Sequence, residues 1–352
     1  MNDRNASARG LALITASLIL LAGCAPSGQA TASASVSVAE SLTASASPSG
    51  PTLARLEGQL VFDHVDASEL VSLWTDRGTG PQALFPQDSN EQEKASWSPD
   101  GTVVTFDRLL PGGARIIQSD LGAPPAEVAT GCRAPECLED GFSALSPNGT
   151  KLAFRRLFGS TEPAASSIVI ADASGANARI MPELPWSEGE YKSPRWSPDG
   201  AFIVFALEGH IGAAGTVSGS TLYILTVATA ERRQLTPDGL SAASPDWSQS
   251  GLIVFGTDPD QADATSKDIY VIAPDGTGMR NVTAGSVVGG SATTPRWIPG
   301  TDRIVFSNIT SGMTFHSSGT LSDIWVINAD GTQSQQVTAT GGQDAYPAVF
   351  PG

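Results

Sequence analysis

A short phrase returns along this chain at intervals close to 50 residues, and this repeat constrains the fold more than any other feature. It reads ASWSPDG at 95–101, PRWSPDG at 194–200, PDWSQSG at 245–251 and PRWIPG at 295–300. The column of its tryptophan contains Trp97, Leu145, Trp196, Trp247, Trp297 and Val349, separated by 48, 51, 51, 50 and 52 residues. Such a period indicates a structural unit that buries its faces only against neighbouring copies.

Each unit contains short segments typical of β-strands. Phenylalanines in β-rich runs form a second column, which contains Phe62, Phe106, Phe154, Phe205, Phe255 and Phe306. Turn-forming residues lie between the runs, as in SPDG and PDGTG. Four strands per unit at this period predict the blade of a β-propeller. We expect the recurring Trp and Phe to pack between blades, and the recurring Asp to hold turns.

The two ends of the repeat predict how the propeller closes. The segment AYPAVFPG at 345–352 supplies a first strand that no second strand follows, and GQLVFD at 58–63 supplies a second strand that no first strand precedes. Pairing the two leaves no open sheet edge. We therefore predict an all-β fold, a six-bladed β-propeller of four-stranded antiparallel blades closed by the N- and C-terminal strands.

The phrase WSPDG, the phenylalanine that follows it and the later Asp268-Ile269-Tyr270 resemble the repeat of the TolB-type, WD40-like (PD40) propellers. The resemblance covers residues 56–352, although the aromatic residue is replaced at Leu145 and Val349. We expect no counterpart of the smaller N-terminal domain that periplasmic TolB uses with its propeller. The resemblance implies a binding platform whose partners meet one end of the central channel.

The N-terminus is typical of an exported protein. Arg4 and Arg9 precede the apolar run LALITASLILLAG, which is too short for a membrane span. The run ends in Leu21-Ala22-Gly23-Cys24, which resembles the lipobox of bacterial lipoproteins; an ordinary secretory peptide with an incidental Cys24 is the alternative. We predict a signal peptide at 1–23, then a flexible Ala/Ser/Thr linker at 24–55 that begins with a diacylglycerol on Cys24, and a lipid-anchored extracytoplasmic propeller at 56–352.

The cysteines fit an oxidising compartment. Beyond Cys24 the chain has Cys132 and Cys137, with four residues between them. An exported chain retains disulfides, so we predict a bond that fixes this loop. Two free thiols are the alternative if lipidation is wrong. A zinc site is disfavoured because no further Cys or adjacent His completes it.

The charge of the chain limits its partners. Twenty Lys and Arg face 36 Asp and Glu, a formal net charge of −16. Such a surface repels phosphate backbones, which argues against nucleic acid. We expect an envelope protein or polymer as partner, and a monomeric chain.

Candidate functional residues surround one predicted face. The loops after the second and fourth strands of each blade are expected to carry Asp63, His64, Asp107, His210, His316 and Asp344. The histidines belong to different blades, which disfavours a transition-metal site. Calcium is a weak alternative in the acidic loop 257–268, through Asp258, Asp260 and Asp263, but an ordinary solvated loop is favoured. We predict no cofactor and no metal.

Three functions are consistent with these residues. The favoured one is a non-enzymatic module that binds protein, peptide or envelope polymer through the loops 63–70, 107–114, 131–141, 206–221, 256–268 and 307–322. The alternative is a carbohydrate-processing enzyme of the lyase or glycosidase type, with carboxylates such as Asp63 and Asp107 and with His64 at the channel mouth. A scaffold for envelope complexes is a third. The sequence has no G-x-S-x-G, P-loop or H-E-x-x-H motif, so we name no catalytic residue.

Overall fold

A computed structural model describes residues 54–133, 135–159, 165–183, 189–211, 217–257, 267–284, 290–311 and 319–350. For residues 210, 211, 217 and 218 it describes the backbone alone. The predicted signal peptide, Cys24 and most of the predicted linker lie outside the described residues. None of the described segments forms a helix with the length and apolar content that a membrane span requires.

The regular elements of the described residues are β-strands, numbered β1 to β26 in chain order. Four antiparallel sheets contain four strands each. The first two comprise β4 (Gln92–Trp97), β5 (Val104–Leu110), β6 (Gly113–Ser119) and β7 (Ala126–Glu127), and β8 (Cys137–Leu145), β9 (Lys151–Phe158), β10 (Ala165–Asp172) and β11 (Arg179–Ile180). The other two comprise β12 (Glu190–Trp196), β13 (Phe202–Glu208), β16 (Thr221–Thr226) and β17 (Arg232–Gln234), and β18 (Ala242–Trp247), β19 (Ile253–Thr257), β20 (Ile269–Ile272) and β21 (Arg280–Asn281).

The remaining strands form a two-stranded sheet and an eight-stranded sheet. The small sheet pairs β14 (His210–Ile211) with β15 (Val217–Ser218) between β13 and β16. The large sheet contains strands from both ends of the described chain: β1 (Gln59–Val65), β2 (Val71–Asp76), β3 (Gln82–Ala83), β22 (Ser291–Trp297), β23 (Arg303–Ser311), β24 (Leu321–Asn328), β25 (Gln335–Gln336) and β26 (Gln343–Phe350).

The predicted antiparallel four-stranded blades are confirmed, but the structure separates four of them, not six, as sheets of their own. The other eight strands form one sheet because Ser322 of β24 pairs in parallel with Gln343 of β26. Within that sheet, β26 pairs antiparallel with β1, bringing Leu60 opposite Val349 and His64 opposite Asp344. The segments QLVF and AYPAVF therefore lie side by side.

The strands that carry the tryptophan column lie together at the centre. These inner strands are β4, β8, β12, β18, β22 and β26; each contacts the next one in this order, and β26 also contacts β4. Outside them, the six phenylalanines of the second column are completely buried in successive apolar clusters. The packing role expected for this column is confirmed, since burial of each ring removes a large apolar surface from water.

The phrase WSPDG forms the turn that joins β4 to β5 and the turn that joins β12 to β13. In the first copy, the Ser98 hydroxyl donates to the Asp100 carboxylate at 2.6 Å and accepts from the Val103 amide at 2.9 Å. Gly101 has a φ of 67°, which glycine adopts without strain. Ser197, Asp199 and Phe202 repeat this arrangement. The recurring aspartates therefore act in turns, as the sequence predicts.

A bulge that the sequence did not reveal bends every inner strand three residues before the tryptophan column. The bulged residue is not glycine, yet its φ lies between 47° and 58° in Lys94, Phe142, Ser193, Ser244, Thr294 and Tyr346. The ladder with the next strand shifts register at the same place in each sheet. Bulges re-aim the side chains that follow them. The residues between the bulge and the tryptophan column form the site described below.

Candidate functional site

A cavity of about 470 Å³ lies where the six inner strands end, a place we call the tryptophan mouth. Its lining includes residues from the end of all six strands and from the WSPDG-type turns that follow them. Cavities of this size at the centre of a rigid fold are where proteins usually bind ligands.

One residue from each inner strand, immediately before the tryptophan column, contacts this cavity. Three adjacent inner strands contribute small side chains to the cavity, and the other three contribute larger, charged ones. In chain order, the six residues are Ser96, Ala144, Arg195, Asp246, Arg296 and Ala348. The lining is therefore asymmetric. One half is small and leaves room, and the other half carries two cations and one anion.

The two arginines of this half are buried but weakly paired. Arg195 is 6% exposed and Arg296 is 8% exposed. Each donates one hydrogen bond, from Nη1, to the carbonyl of the preceding proline, at 2.8 Å for Arg195 and 3.0 Å for Arg296. The Nε atom of Arg195 lies 3.9 Å from Asp246 Oδ1, too far for a hydrogen bond. A guanidinium has five N–H donors, so both arginines retain donors for a ligand.

The electrostatics of this trio follow from burial. Burial, together with the charge of Arg296, lowers the pKa of Arg195 to about 9, which leaves it cationic at neutral pH. Burial likewise lowers the pKa of Arg296, an effect that Asp246 partly offsets. Burial raises the pKa of Asp246, although both arginines and the Trp297 amide, which donates to Asp246 Oδ2 at 2.8 Å, act in the opposite direction. Two cations thus share a single carboxylate.

Aromatic side chains surround the mouth and tie adjacent blades together. The Trp97 indole donates to the carbonyl of Ala348 at 3.3 Å, and the Trp196 indole donates to that of Ala144 at 3.0 Å. Both bonds run from one inner strand to the preceding one. All four tryptophans line the cavity; Trp196 and Trp297 are buried, and Trp97 and Trp247 are half-buried. The predicted packing role therefore applies, and the four indoles also border the site.

Asp63 and Asp107, predicted on loops, lie instead inside strands and are fully buried. Asp63 accepts the Lys94 amide at 2.9 and 3.1 Å, and Asp107 accepts the Phe142 amide at 2.8 and 3.1 Å. Each carboxylate thereby holds the bulge of the next inner strand. Burial raises the pKa of Asp63 well above its usual range, and burial raises that of Asp107 to about 7.

His64 and Asp344 are brought together but also lie away from solvent. His64 Nδ1 lies 2.7 Å from Asp344 Oδ1 across the β1–β26 pair, and the imidazole packs on Trp74 with ring centroids 4.1 Å apart. Asp344 also accepts from the hydroxyls of Thr338 and Thr340, at 2.6 and 2.8 Å. This network connects the first described strand to the last one. It lies between strands and not on a binding surface.

The remaining candidates are only partly described. His316 and the proposed calcium ligands Asp258, Asp260 and Asp263 lie outside the described residues, and so does the side chain of His210. A disulfide joins Cys132 and Cys137. Among the described residues these two cysteines and Asp140 group closely enough for a metal, but disulfide sulfurs are not the thiolates that bind zinc.

The sequence analysis did not predict the tryptophan mouth, although its residues belong to the repeated phrase. Arg195 and Arg296 belong to the repeated words PRW at 194–196 and 295–297. A signal existed there, because an arginine in a packing phrase needs a partner when it is buried. All six predicted loops overlap strands: 63–70 overlaps β1, 107–114 overlaps β5 and β6, 131–141 overlaps β8, 206–221 overlaps β13 to β16, 256–268 overlaps β19, and 307–322 overlaps β23 and β24.

Comparison with known proteins supports the fold more than the function. No family model matches the chain. A curated relative, the uncharacterized peptidase YuxL of Bacillus subtilis (strain 168), is 32% identical over 96 residues, which are 25% of this chain and 14% of that protein. TolB from Acinetobacter baumannii superposes with a TM-score of 0.62 at 15% identity, covering 83% of this chain and 66% of that one. A putative TolB from Agrobacterium tumefaciens gives 0.58 at 17% identity, covering 85% and 100%.

These likenesses concern overall architecture. The chain spans about a seventh of the curated relative's length, so the match shows nothing of that protein's activity in this chain. Identities of 15% and 17% with the two solved structures show a common fold and nothing finer. The chain therefore has the all-β propeller fold that is found in TolB proteins.

Proposed function

We propose that this chain is a lipid-anchored, extracytoplasmic β-propeller that binds a segment of an envelope protein at the tryptophan mouth. The observation that carries the proposal is the cavity of about 470 Å³, which the ends of six inner strands surround. In this proposal the eight-stranded sheet acts as two blades, so that the ring has six blades and β26 closes it against β1. The β1–β26 pairing and the repeated bulge in all six inner strands support this count.

The proposed location depends on the N-terminal sequence. Leu21-Ala22-Gly23-Cys24 supplies the expected lipidation site, and residues 25–55 supply a flexible tether. The disulfide between Cys132 and Cys137 is consistent with an oxidising compartment. A diacylglycerol provides two chains, which stable membrane attachment requires.

Binding fits the described mouth better than carbohydrate hydrolysis does. Glycosidases usually place two carboxylates on either side of the scissile bond. Asp246 is the single carboxylate among the described residues that line the cavity. Asp63 and Asp107 accept backbone amides inside the sheet and are fully buried. A rigid ring with a preformed cavity therefore supports recognition.

The proposal predicts that filling the cavity abolishes partner capture. Ser96 is half-buried at the small side of the mouth, so Ser96→Trp adds bulk there without changing either arginine. Acylated wild-type protein and this variant should be compared as baits in a pull-down from the native envelope. We expect the proteins that wild-type captures to fall at least tenfold with Ser96→Trp.

Thr102→Trp is the matched control, because Thr102 is exposed in the turn after the same inner strand. It should leave capture unchanged. Deletions within the predicted loops 206–221 and 307–322 test the opposite face. If capture survives Ser96→Trp but is lost in either deletion, the partner binds at that face and the proposal is wrong.

A further inference from the structure

The two arginines of the tryptophan mouth carry more positive charge than the one described carboxylate that lines the cavity with them. Both are more than nine-tenths buried, and both line the cavity. Among the described residues, each arginine donates a hydrogen bond only to the carbonyl of the proline that precedes it. Arginine is rarely buried unless it is paired, and an unpaired buried charge is unfavourable. Among the described residues, neither guanidinium therefore has an anionic partner at hydrogen-bond distance.

The one described carboxylate that lines the cavity does not fill this role, and Asp107 and Asp63, which also attract Arg195 and Arg296 electrostatically, accept backbone amides instead. Asp246 Oδ1 lies 3.9 Å from Arg195 Nε, and Asp246 Oδ2 accepts the Trp297 amide. The formal charge of the trio is +1, since two guanidinium groups face one carboxylate. The small residues Ser96, Ala144 and Ala348 line the rest of the ring and leave room for a ligand.

From this geometry we infer that the tryptophan mouth binds an acidic peptide segment, and that Arg195 and Arg296 bind its carboxylate. This inference rests on the proposed function and specifies the chemistry of its ligand. The planar guanidinium presents parallel N–H donors that match the two oxygens of a carboxylate. A partly apolar wall, which includes half-buried Trp97 and Trp247, accommodates the apolar side chains beside an acidic residue.

A peptide segment fits this lining because fixed cations lie beside partly apolar surface. Arg195 and Arg296 line the cavity together with half-buried Trp97 and Trp247. An acidic residue and its apolar neighbours in a peptide present the same combination of charge and apolar surface.

The global charge opposes this ligand only at a distance. The formal net charge of −16 repels an acidic peptide in free solution. Screening limits that repulsion to about 8 Å at physiological ionic strength. Inside the cavity the two arginines are close and desolvated, so local attraction decides binding.

The inference can be tested with two peptides that differ only in charge. The probes are N-acetyl-triglutamate amide and N-acetyl-triglutamine amide, titrated calorimetrically into the full chain. We expect the glutamate peptide to bind wild-type protein at least ten times more tightly. Hydrogen bonds to charged groups contribute about 1.5–3 kcal/mol, so Arg195→Gln and Arg296→Gln should each weaken its binding about 10- to 100-fold.

Two further variants keep the test decisive if an arginine variant folds poorly. Asp246→Asn retains an oxygen acceptor for the Trp297 amide but removes the competing anion, so it should tighten glutamate-peptide binding several-fold. Arg280→Gln removes the same charge from an exposed arginine on β21, outside the cavity, and should leave binding unchanged.

Several outcomes would overturn the inference. They are equal affinity for the two peptides, equal losses with Arg280→Gln and Arg195→Gln, or weaker binding by Asp246→Asn. Displacement of the glutamate peptide by inorganic phosphate at lower concentration than by acetate would also overturn it, in favour of a phosphate site. Ser96→Trp separates this inference from the proposed function: if it abolishes partner capture while the arginine variants leave peptide binding intact, the mouth binds its partner without a carboxylate contact.

Discussion

Cations at the two ends of the inner strands differ in how fully they are paired with carboxylates. At the far end, where these strands begin, the cations have partners: Arg155 contacts Glu139 and Glu190, and Lys192 contacts Glu208. At the tryptophan mouth, Asp246 is the one described carboxylate that lines the cavity with Arg195 and Arg296, and the arginines donate their hydrogen bonds to proline carbonyls instead. Removing one partner of a buried pair is strongly destabilising, whereas a charge without a full partner remains available to a ligand. The comparison locates binding capacity at the mouth.

The largest effect on stability is expected from breaking an ion pair at the far end of the inner strands. Arg156 donates from Nε and Nη2 to the two oxygens of Asp140, each at 2.7 Å, and Asp140 is completely buried. Arg156→Met leaves that carboxylate buried without its cation, which costs about 3–5 kcal/mol in comparable pairs. We expect the free energy of unfolding in urea to fall by about that amount. A loss below 1 kcal/mol would show that this pair does not hold the far end together.

The stability of the protein should depend on pH through the buried carboxyl group of Asp107. Burial raises the pKa of Asp107 to about 7, with Glu93 adding to the increase and Lys94 and Arg155 opposing it. Its unfolded value is about 3.9, so the folded protein binds this proton more tightly. The stability that protonation contributes is present below about pH 4 and is lost as pH rises to about 7.

Asp107→Asn removes this titration and retains an oxygen acceptor for the Phe142 amide. Relative to the variant, wild-type protein should therefore lose up to about 4 kcal/mol of unfolding free energy between pH 4 and pH 7, at about 1.4 kcal/mol per pKa unit. Urea denaturation of both proteins across this range measures the difference. Parallel stability curves would mean that Asp107 is ionised throughout the range, and a wild-type curve that rises relative to the variant would reverse the sign.

The sequence predicted four-stranded blades because a repeat of about 50 residues, and the β-rich runs and turn residues within it, can be recognised without knowing which residues are neighbours in space. Phe62 and Phe306 stand in the same column of the repeat, and both are completely buried. The sequence does not predict the bulges, because Lys94, Phe142 and Tyr346 are not of the residue types that favour positive φ. The surrounding sheets impose that backbone conformation, so no single segment encodes it.

The site was harder to predict than the fold because its meaning depends on neighbours in space. Asp63 and His64 are polar residues near the end of a strand, which from sequence alone is typical of a loop at a binding face. In the structure they hold a bulge and a strand pair instead. Arg195 and Arg296 lie 101 residues apart, as their numbers show, and only three adjacent inner strands reveal that they share one carboxylate.

The smallest effect on stability is expected from removing an arginine at the tryptophan mouth. Arg195→Met removes one hydrogen bond to the Pro194 carbonyl, a loss of about 1 kcal/mol. It also removes a buried cation that Arg296 repels, which offsets that loss. The free energy of unfolding should therefore change by less than about 1 kcal/mol, in urea denaturation run beside Arg156→Met. If Arg195→Met destabilised the protein as much as Arg156→Met, the arginine at the mouth would be structural, and its charge would not be free to hold a ligand.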